Sequence, residues 1–282
     1  MRILVVGGTS SLARVLIPIL STFAEVISAG RSDCDMHLDL SEPLEQFQRP
    51  QGIDVLINTA ASFGSANPGH LNETEYINAI GTLKLCQLCT DANIGHMVQI
   101  SSIFTCLDIN SPFFSGYALS KRHADELAQL YCSQTKLALT IIRPSQLYGI
   151  GPAYRKHQPF FFSLIDKVAN GEDIDIYGTH DARRNFIHVE DVANVIALAI
   201  KNKIIGSFAC MQLDAVGYSE IVAAAAAAFN SKSQIRFLSQ HSDIADNIIP
   251  FDGTLFNLLD YYPRISIALG MEKEADYRRR MQ

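Results

Sequence analysis

The chain has 282 residues, with 23 Lys or Arg against 29 Asp or Glu and a net charge of −6. An acidic chain lacks the basic stripe that nucleic-acid phosphates require. A make-up of 48% hydrophobic and 18% charged residues is that of a folded globular protein, one large or two small domains long, and no apolar run approaches the ~20 residues that span a bilayer.

The first element is an apolar strand over 2–6, closed at once by Gly7. Residues 10–20 carry apolar positions at helical spacing, 25–28 read as a second strand and 34–38 as a short third. A buried-type strand follows over 54–58, then a long helix over 73–92. Strands over 96–100 and 137–142 flank a helix over 116–131. Such alternation predicts a parallel sheet with helices on both faces. From Gly149 the pattern changes: Gly149, Gly151, Pro152 and Pro159 interrupt it, and less regular elements follow. Residues 1–148 therefore read as a cofactor half, with part of 186–213 returning to it, and 149–282 as mainly the substrate half. Six consecutive alanines over 223–228 read as a closely packed helix.

The opening apolar run is too short for a secretory signal. Cys34, Cys86, Cys89, Cys106, Cys132 and Cys210 read as buried free thiols in a reducing cytoplasm. Cys86 and Cys89 lie on a core-facing helical stripe, so their C-x-x-C spacing does not imply a metal. His180 and His188 have no carboxylate–histidine set at ligand spacing either.

Between the first strand and first helix stands Gly7-Gly8-Thr9-Ser10-Ser11-Leu12-Ala13. A glycine turn here aims backbone N–H groups and the helix dipole at a pyrophosphate. Ser10 and Ala13 replace later glycines of the usual pattern. Ala13 sits where helix–strand packing matters, and the Ser10 hydroxyl is placed to donate to a phosphate. The second strand ends Ser28-Ala29-Gly30-Arg31-Ser32, without the carboxylate that usually binds the ribose of NAD. The Arg31 fork suits a 2′-phosphate. NADP(H) is favoured, and Asp33 nearby keeps NAD(H) open.

Tyr117 and Lys121 lie one helical turn apart, on one face. An ammonium beside a phenol favours the phenolate and lowers its pKa. Such a phenol can exchange a proton with an alcohol oxygen while hydride moves at carbon. Ser101-Ser102 ends a strand 15 residues upstream of Tyr117, at the edge where parallel sheets bind ligands.

These pieces occur together with others in a fixed order: Asp39-Leu40, Asn58-Thr59-Ala60-Ala61, Asn78-Ala79-Ile80-Gly81-Thr82, Arg143-Pro144-Ser145-Gln146-Leu147-Tyr148-Gly149, Arg184-Asn185-Phe186-Ile187-His188-Val189-Glu190-Asp191 and Tyr262-Pro263-Arg264. In that order the chain resembles the extended short-chain dehydrogenase/reductases, the NAD(P)-dependent nucleotide-sugar epimerase/dehydratase group. The resemblance implies an α/β enzyme: a Rossmann doubly wound parallel sheet with a smaller C-terminal α/β substrate-binding domain. It implies catalysis by Ser102, Tyr117 and Lys121. Cofactor contacts would come from Gly7, Thr9, Ser10, Ser11, Leu12, Arg31, Asp39 and Leu40 in the adenine-contact position, Ala60, Ala61, Asn78, Lys121 and Pro144. Ser102, Gln146 and Arg184 would hold a nucleotide sugar, Arg184 on its diphosphate. A homodimer through helices 73–92 and 116–131 is also implied.

Dehydratases of this group carry an acidic pair after the strand-end hydroxyl, where this chain has Ile103-Phe104. The first expectation is an NADPH-dependent reductase of a nucleotide-linked 4-keto-6-deoxy sugar. The alternatives are a nucleotide-sugar 4-epimerase with bound NAD and, in a different class, a non-catalytic NADP-binding sensor or subunit.

Overall fold

The computed structural model describes residues 1–64 and 67–281. The chain divides into two compact units. The first comprises Met1–Pro144, Ala193–Cys210 and Thr254–Asp260, and the second comprises Ser145–Val192, Met211–Gly253 and Tyr261–Gln282.

The first unit is built on strands β1 (Arg2–Val6), β2 (Glu25–Gly30), β3 (Met36–His37), β4 (Val55–Asn58), β5 (His96–Ile100) and β6 (Ala138–Pro144), joined by the strand Gly206–Cys210. They form one sheet in the order Gly206–Cys210, β6, β5, β4, β1, β2, β3. Every pairing is parallel. This is a Rossmann doubly wound sheet, whose order reverses between β1 and β4, the place where such sheets bind ligands beyond the strands' carboxyl ends. Ile3, Leu4, Val5, Leu56, Ile57, Met97, Val98, Ile141 and Ile142 are all buried. Unbroken apolar strands are what a sheet covered on both faces requires.

The covering helices are α1 (Ser11–Leu20), α2 (Leu71–Glu75), α3 (Gly81–Asp91) and α4 (Gly116–Ser133). The single helix expected over 73–92 is continuous in path but changes register: Tyr76–Ile80 forms a π turn between α2 and α3. Periodicity alone does not reveal such a turn, and π turns gather at functional sites. The third strand expected over 34–38 is shorter. Asp33 takes a positive φ of 51°, and the Asp35 carboxylate accepts from the Ser28 amide and hydroxyl, so the chain bends until Met36.

The second unit holds three two-stranded pairings. Gln146–Tyr148 pairs in parallel with Phe186–His188, and Ile174–Tyr177 in parallel with Ile235–Leu238. Arg183–Arg184 pairs antiparallel with Val216–Gly217. Helices Pro159–Ala169, Tyr218–Phe229 and Ile267–Met281 pack together, burying Phe161, Phe162, Ile165, Ile221, Ala225, Met271 and Ala275. The alanine run lies in the middle helix, where small side chains let its neighbours approach.

All six cysteines are free. Cys86, Cys89, Cys132 and Cys210 are buried as expected, but Cys106 is exposed and Cys34 half-buried. Among the described residues no helix is long and apolar enough to cross a membrane, and no group of three or more His, Cys, Asp or Glu is arranged to hold a metal.

Candidate active site

The glycine turn follows β1 directly. Gly7 has φ +77°, and a Cβ on it would stand 2.6 Å from the Ala60 nitrogen, so a side chain is excluded by both conformation and space. The Gly7 and Gly8 amides donate to the Ala29 carbonyl at the end of β2, at 2.8 and 3.0 Å. Ser10 caps α1 by accepting from the Ala13 amide at 3.0 Å. Its hydroxyl also meets the Thr59 hydroxyl at 2.9 Å. The Thr59 hydroxyl also lies within bonding distance of the Val6 and Gly7 carbonyls, and either hydroxyl can donate in the Ser10–Thr59 contact. The Ser10 hydroxyl thus has partners within the protein at both the first turn of α1 and the end of β4. The N-terminal turn of α1, with Ser11 and the buried Leu12, and the exposed Thr9 sit beside this turn. Ala60 and Ala61 are half-buried at the end of β4, with the Ala60 amide donating to Asn58 Oδ1 at 3.1 Å. Positive dipole end, glycine turn and small residues together fit a dinucleotide's pyrophosphate.

Arg31 lies exposed at the end of β2. Against burial, which raises it, hydrogen bonds from the Ser41 amide and hydroxyl hold the nearby Asp39 carboxyl below its ordinary range, with smaller help from Arg31 and His37. Leu40 is buried.

At the carboxyl end of β5, Ser102 caps the short turn Ile103–Cys106, its hydroxyl accepting from the Phe104 amide at 3.3 Å, and it stands near enough to the Tyr117 phenol to favour its ionised form. Tyr117 lies in the first turn of α4, capped by Ser115, and its ring stacks on Phe63 with centroids 4.9 Å apart and planes 15° apart. Lys121, one turn further along, is 2% exposed and donates to the Ile100 carbonyl at 2.6 Å. The structure thus brings all three expected residues together.

The expected electrostatics do not hold in this geometry. Burial pushes the Tyr117 phenol above its ordinary range, Asp125 adds to the rise, and only the neighbouring Ser102 hydroxyl opposes it. Burial also draws the Lys121 ammonium from 10.5 down to about 8, against the pull of Asp125. Desolvation penalises every charged form here, and it outweighs the phenol–ammonium attraction on which the sequence argument rests.

Asp125 was not among the expected residues. It follows Lys121 by four positions, on the same helix face, which is the signal that finds it. Its carboxylate accepts from the Ser101 hydroxyl and from Arg143 Nε, both at 2.9 Å. Burial raises its pKa, opposed chiefly by Arg143. Phe63 gives no sequence signal, because a stacking partner on a loop has no periodicity.

Asn78 lies in the π turn. Its Oδ1 accepts from the Ser62 amide at 2.8 Å, and its Nδ2 donates to the Ser62 carbonyl at 2.7 Å and the Ser120 hydroxyl at 2.9 Å. Both amide donors are thus used in tying the loop after β4 to α4. Pro144 is buried at the end of β6.

In the second unit, Arg184 is 6% exposed, its guanidinium donating to the Arg183 and Ala245 carbonyls at 2.9 and 2.7 Å and lying 5.5 Å from the Tyr218 ring centroid. Gln146 is half-buried, its amide 3.4 Å from Gln158 Oε1. His188 is a packing residue: fully buried, it takes the Glu190 amide on Nδ1 and meets Tyr148 edge-on.

Comparison with known proteins gives a consistent picture. A family model described as the NAD dependent epimerase/dehydratase family matches residues 3–208. CDP-abequose synthase of Salmonella typhimurium is 26% identical over 166 residues, covering 57% of this chain and 52% of that protein. A dTDP-4-dehydro-6-deoxy-D-allose reductase of Streptomyces bikiniensis is 35% identical over 79 residues, 28% of this chain and 24% of the relative. The chain therefore spans about half the length, or less, of these curated relatives in what it matches. Among solved structures, UDP-glucuronic acid 4-epimerase from Bacillus cereus, in complex with UDP-glucuronic acid and NAD, superposes with a TM-score of 0.78 at 18% identity, covering 100% of both chains.

Proposed function

The chain belongs to the NAD dependent epimerase/dehydratase family, and from that premise we propose that it is an NADPH-dependent reductase of a nucleotide-linked 4-keto-6-deoxy sugar. The observation that carries the reading is that Ser102, the Tyr117 phenol and the buried Lys121 ammonium gather at the carboxyl end of β5, where Lys121 donates to the Ile100 carbonyl. A bound nicotinamide dinucleotide supplies the hydride. Tyr117 gives the phenolic proton to the carbonyl oxygen as that oxygen becomes an alcohol, and Ser102 orients the same oxygen. The phenol's raised pKa keeps it protonated, as a proton donor to a ketone must be. Lys121, one helical turn from Tyr117 on α4, carries a positive charge that would ease the phenolate left behind.

Three further observations support reduction. Ile103 and Phe104 follow Ser102, so the acids that water elimination needs do not stand there. Arg31 ends β2 with its guanidinium exposed, a suitable partner for a 2′-phosphate. One relative is named a reductase of a dTDP-4-dehydro sugar. In the second unit, Arg184 would pair with the substrate's diphosphate.

A second reading, a nucleotide-sugar 4-epimerase using NAD, is favoured by the Asp39 carboxylate, which is held ionised close enough to Arg31 to feel its charge. The Bacillus cereus neighbour holds NAD. A panel of nucleotide 4-keto sugars and their reduced forms, incubated with NADPH or NADH and followed at the nicotinamide absorbance band, separates the two. The reductase reading predicts stoichiometric loss of NADPH absorbance with a keto sugar. Interconversion of 4-hydroxy epimers without net loss refutes it in favour of the epimerase. A chain that binds coenzyme and turns over nothing in the panel is a binder.

A further inference from the structure

We infer that Lys84 is a positioning residue for the adenosine end of the dinucleotide, a role that rests on the cofactor reading above. Lys84 stands on α3 and is only 7% exposed. Its ammonium donates to the Leu40 carbonyl at 3.0 Å, the Glu42 carbonyl at 2.9 Å and the Tyr76 hydroxyl at 3.1 Å, and lies 4.2 Å from the Tyr76 ring centroid. Three donors thus meet three acceptors. Two of those acceptors belong to the segment that carries Asp39 and Leu40, the pair placed against the adenine in the cofactor reading.

The remaining ties of this segment are close in sequence or made by backbone. Leu38 donates to the Gly30 carbonyl at 3.0 Å, beside Arg31, and Glu42 donates to the Asp39 carbonyl at 3.0 Å. The Asp39 carboxylate accepts from the Ser41 amide and hydroxyl. On the α3 side, a Cβ on Gly81 would stand 3.1 Å from the Leu40 side chain, so the helix backbone lies directly against Leu40. Lys84 adds directional bonds where Gly81 supplies only contact. Burying an ammonium is costly, and a methionine would fill the same space without that cost. What methionine cannot do is set the direction of two carbonyls, and with them the path of residues 39–42. The π turn puts Tyr76 in reach as the third acceptor. Lys84 therefore fixes the shape of the adenosine wall without touching the ligand.

The test compares ligands that share the adenosine end. NADPH and the 2′-phosphorylated form of ADP-ribose, which has no nicotinamide, are titrated calorimetrically into the wild type and into Lys84→Met, and the emission of bound NADPH at saturation reports on the nicotinamide seat. The expected result is a loss of about tenfold in affinity, equal within a factor of two for both ligands, with the emission unchanged. Lys84→Arg keeps charge and donors but cannot place one nitrogen among three acceptors, and it should lose about threefold for both. If the methionine variant does not fold, the arginine variant alone decides. Unchanged affinity for the phosphorylated ADP-ribose, or a loss for NADPH that it does not share, overturns the inference. A wild-type protein that binds neither ligand instead refutes the cofactor reading itself.

Discussion

Lys121→Met removes an ammonium that is 2% exposed and whose nitrogen lies 2.6 Å from the Ile100 carbonyl oxygen. Burial lowers its pKa from 10.5 to about 8. At about 1.4 kcal/mol for each tenfold in proton affinity, keeping that charge folded at neutral pH costs about 3 kcal/mol. Methionine removes this cost and forfeits one hydrogen bond, worth about 1 kcal/mol. The variant should therefore be about 2 kcal/mol more stable at pH 7, raising the thermal midpoint by about 3 °C for a chain of this size, while losing activity. The sign depends on pH. The unfolded lysine keeps its proton up to about 10.5, whereas the folded one releases it near 8. Between those values the unfolded state binds more protons, so wild-type stability gains from this group as pH rises. The advantage of the variant is full below about pH 8, shrinks through pH 9 and is lost towards 10.5. Thermal denaturation of both proteins at pH 7, 8, 9 and 10 measures this directly. A variant less stable at pH 7, or a gap independent of pH, refutes the reasoning.

Two other substitutions probe the surroundings. Asn78→Ala deletes three hydrogen bonds of 2.7–2.9 Å between the loop after β4, the π turn and α4, and should cost about 3 kcal/mol in urea denaturation; a loss below about 1 kcal/mol would show that the brace is not needed. Arg31→Ala should weaken NADPH about tenfold or more by titration and leave NADH within twofold, and equal losses would remove Arg31 from the 2′-phosphate.

Much of this was legible in the sequence because it depends on spacing. The apolar strands, the glycine turn and the Tyr117–Lys121 pair are local patterns, and the sheet that a doubly wound pattern implies places their ends on one edge. What stayed hidden depends on atoms distant in sequence. The Ser10 hydroxyl reads as unpartnered in the sequence, yet it meets the Thr59 hydroxyl, 49 residues on, at 2.9 Å. The π turn at Tyr76–Ile80 arises inside a stretch whose composition reads as plain helix. The phenol's pKa is decided by desolvation, which belongs to the folded surroundings and not to the i, i+4 neighbour. Asp125 was readable as Lys121 plus four, but its partner Arg143 lies on another element.

The central claim is that the Tyr117 phenol supplies the proton that accompanies hydride transfer, and a single-turnover measurement with Tyr117→Phe tests it most directly. Enzyme, NADPH and a keto sugar accepted by the wild type are mixed, and the nicotinamide absorbance is followed in a stopped-flow instrument. The account predicts transfer slower by about 10²–10⁴ with the dissociation constant for NADPH within threefold of wild type. Transfer at the wild-type rate would contradict it.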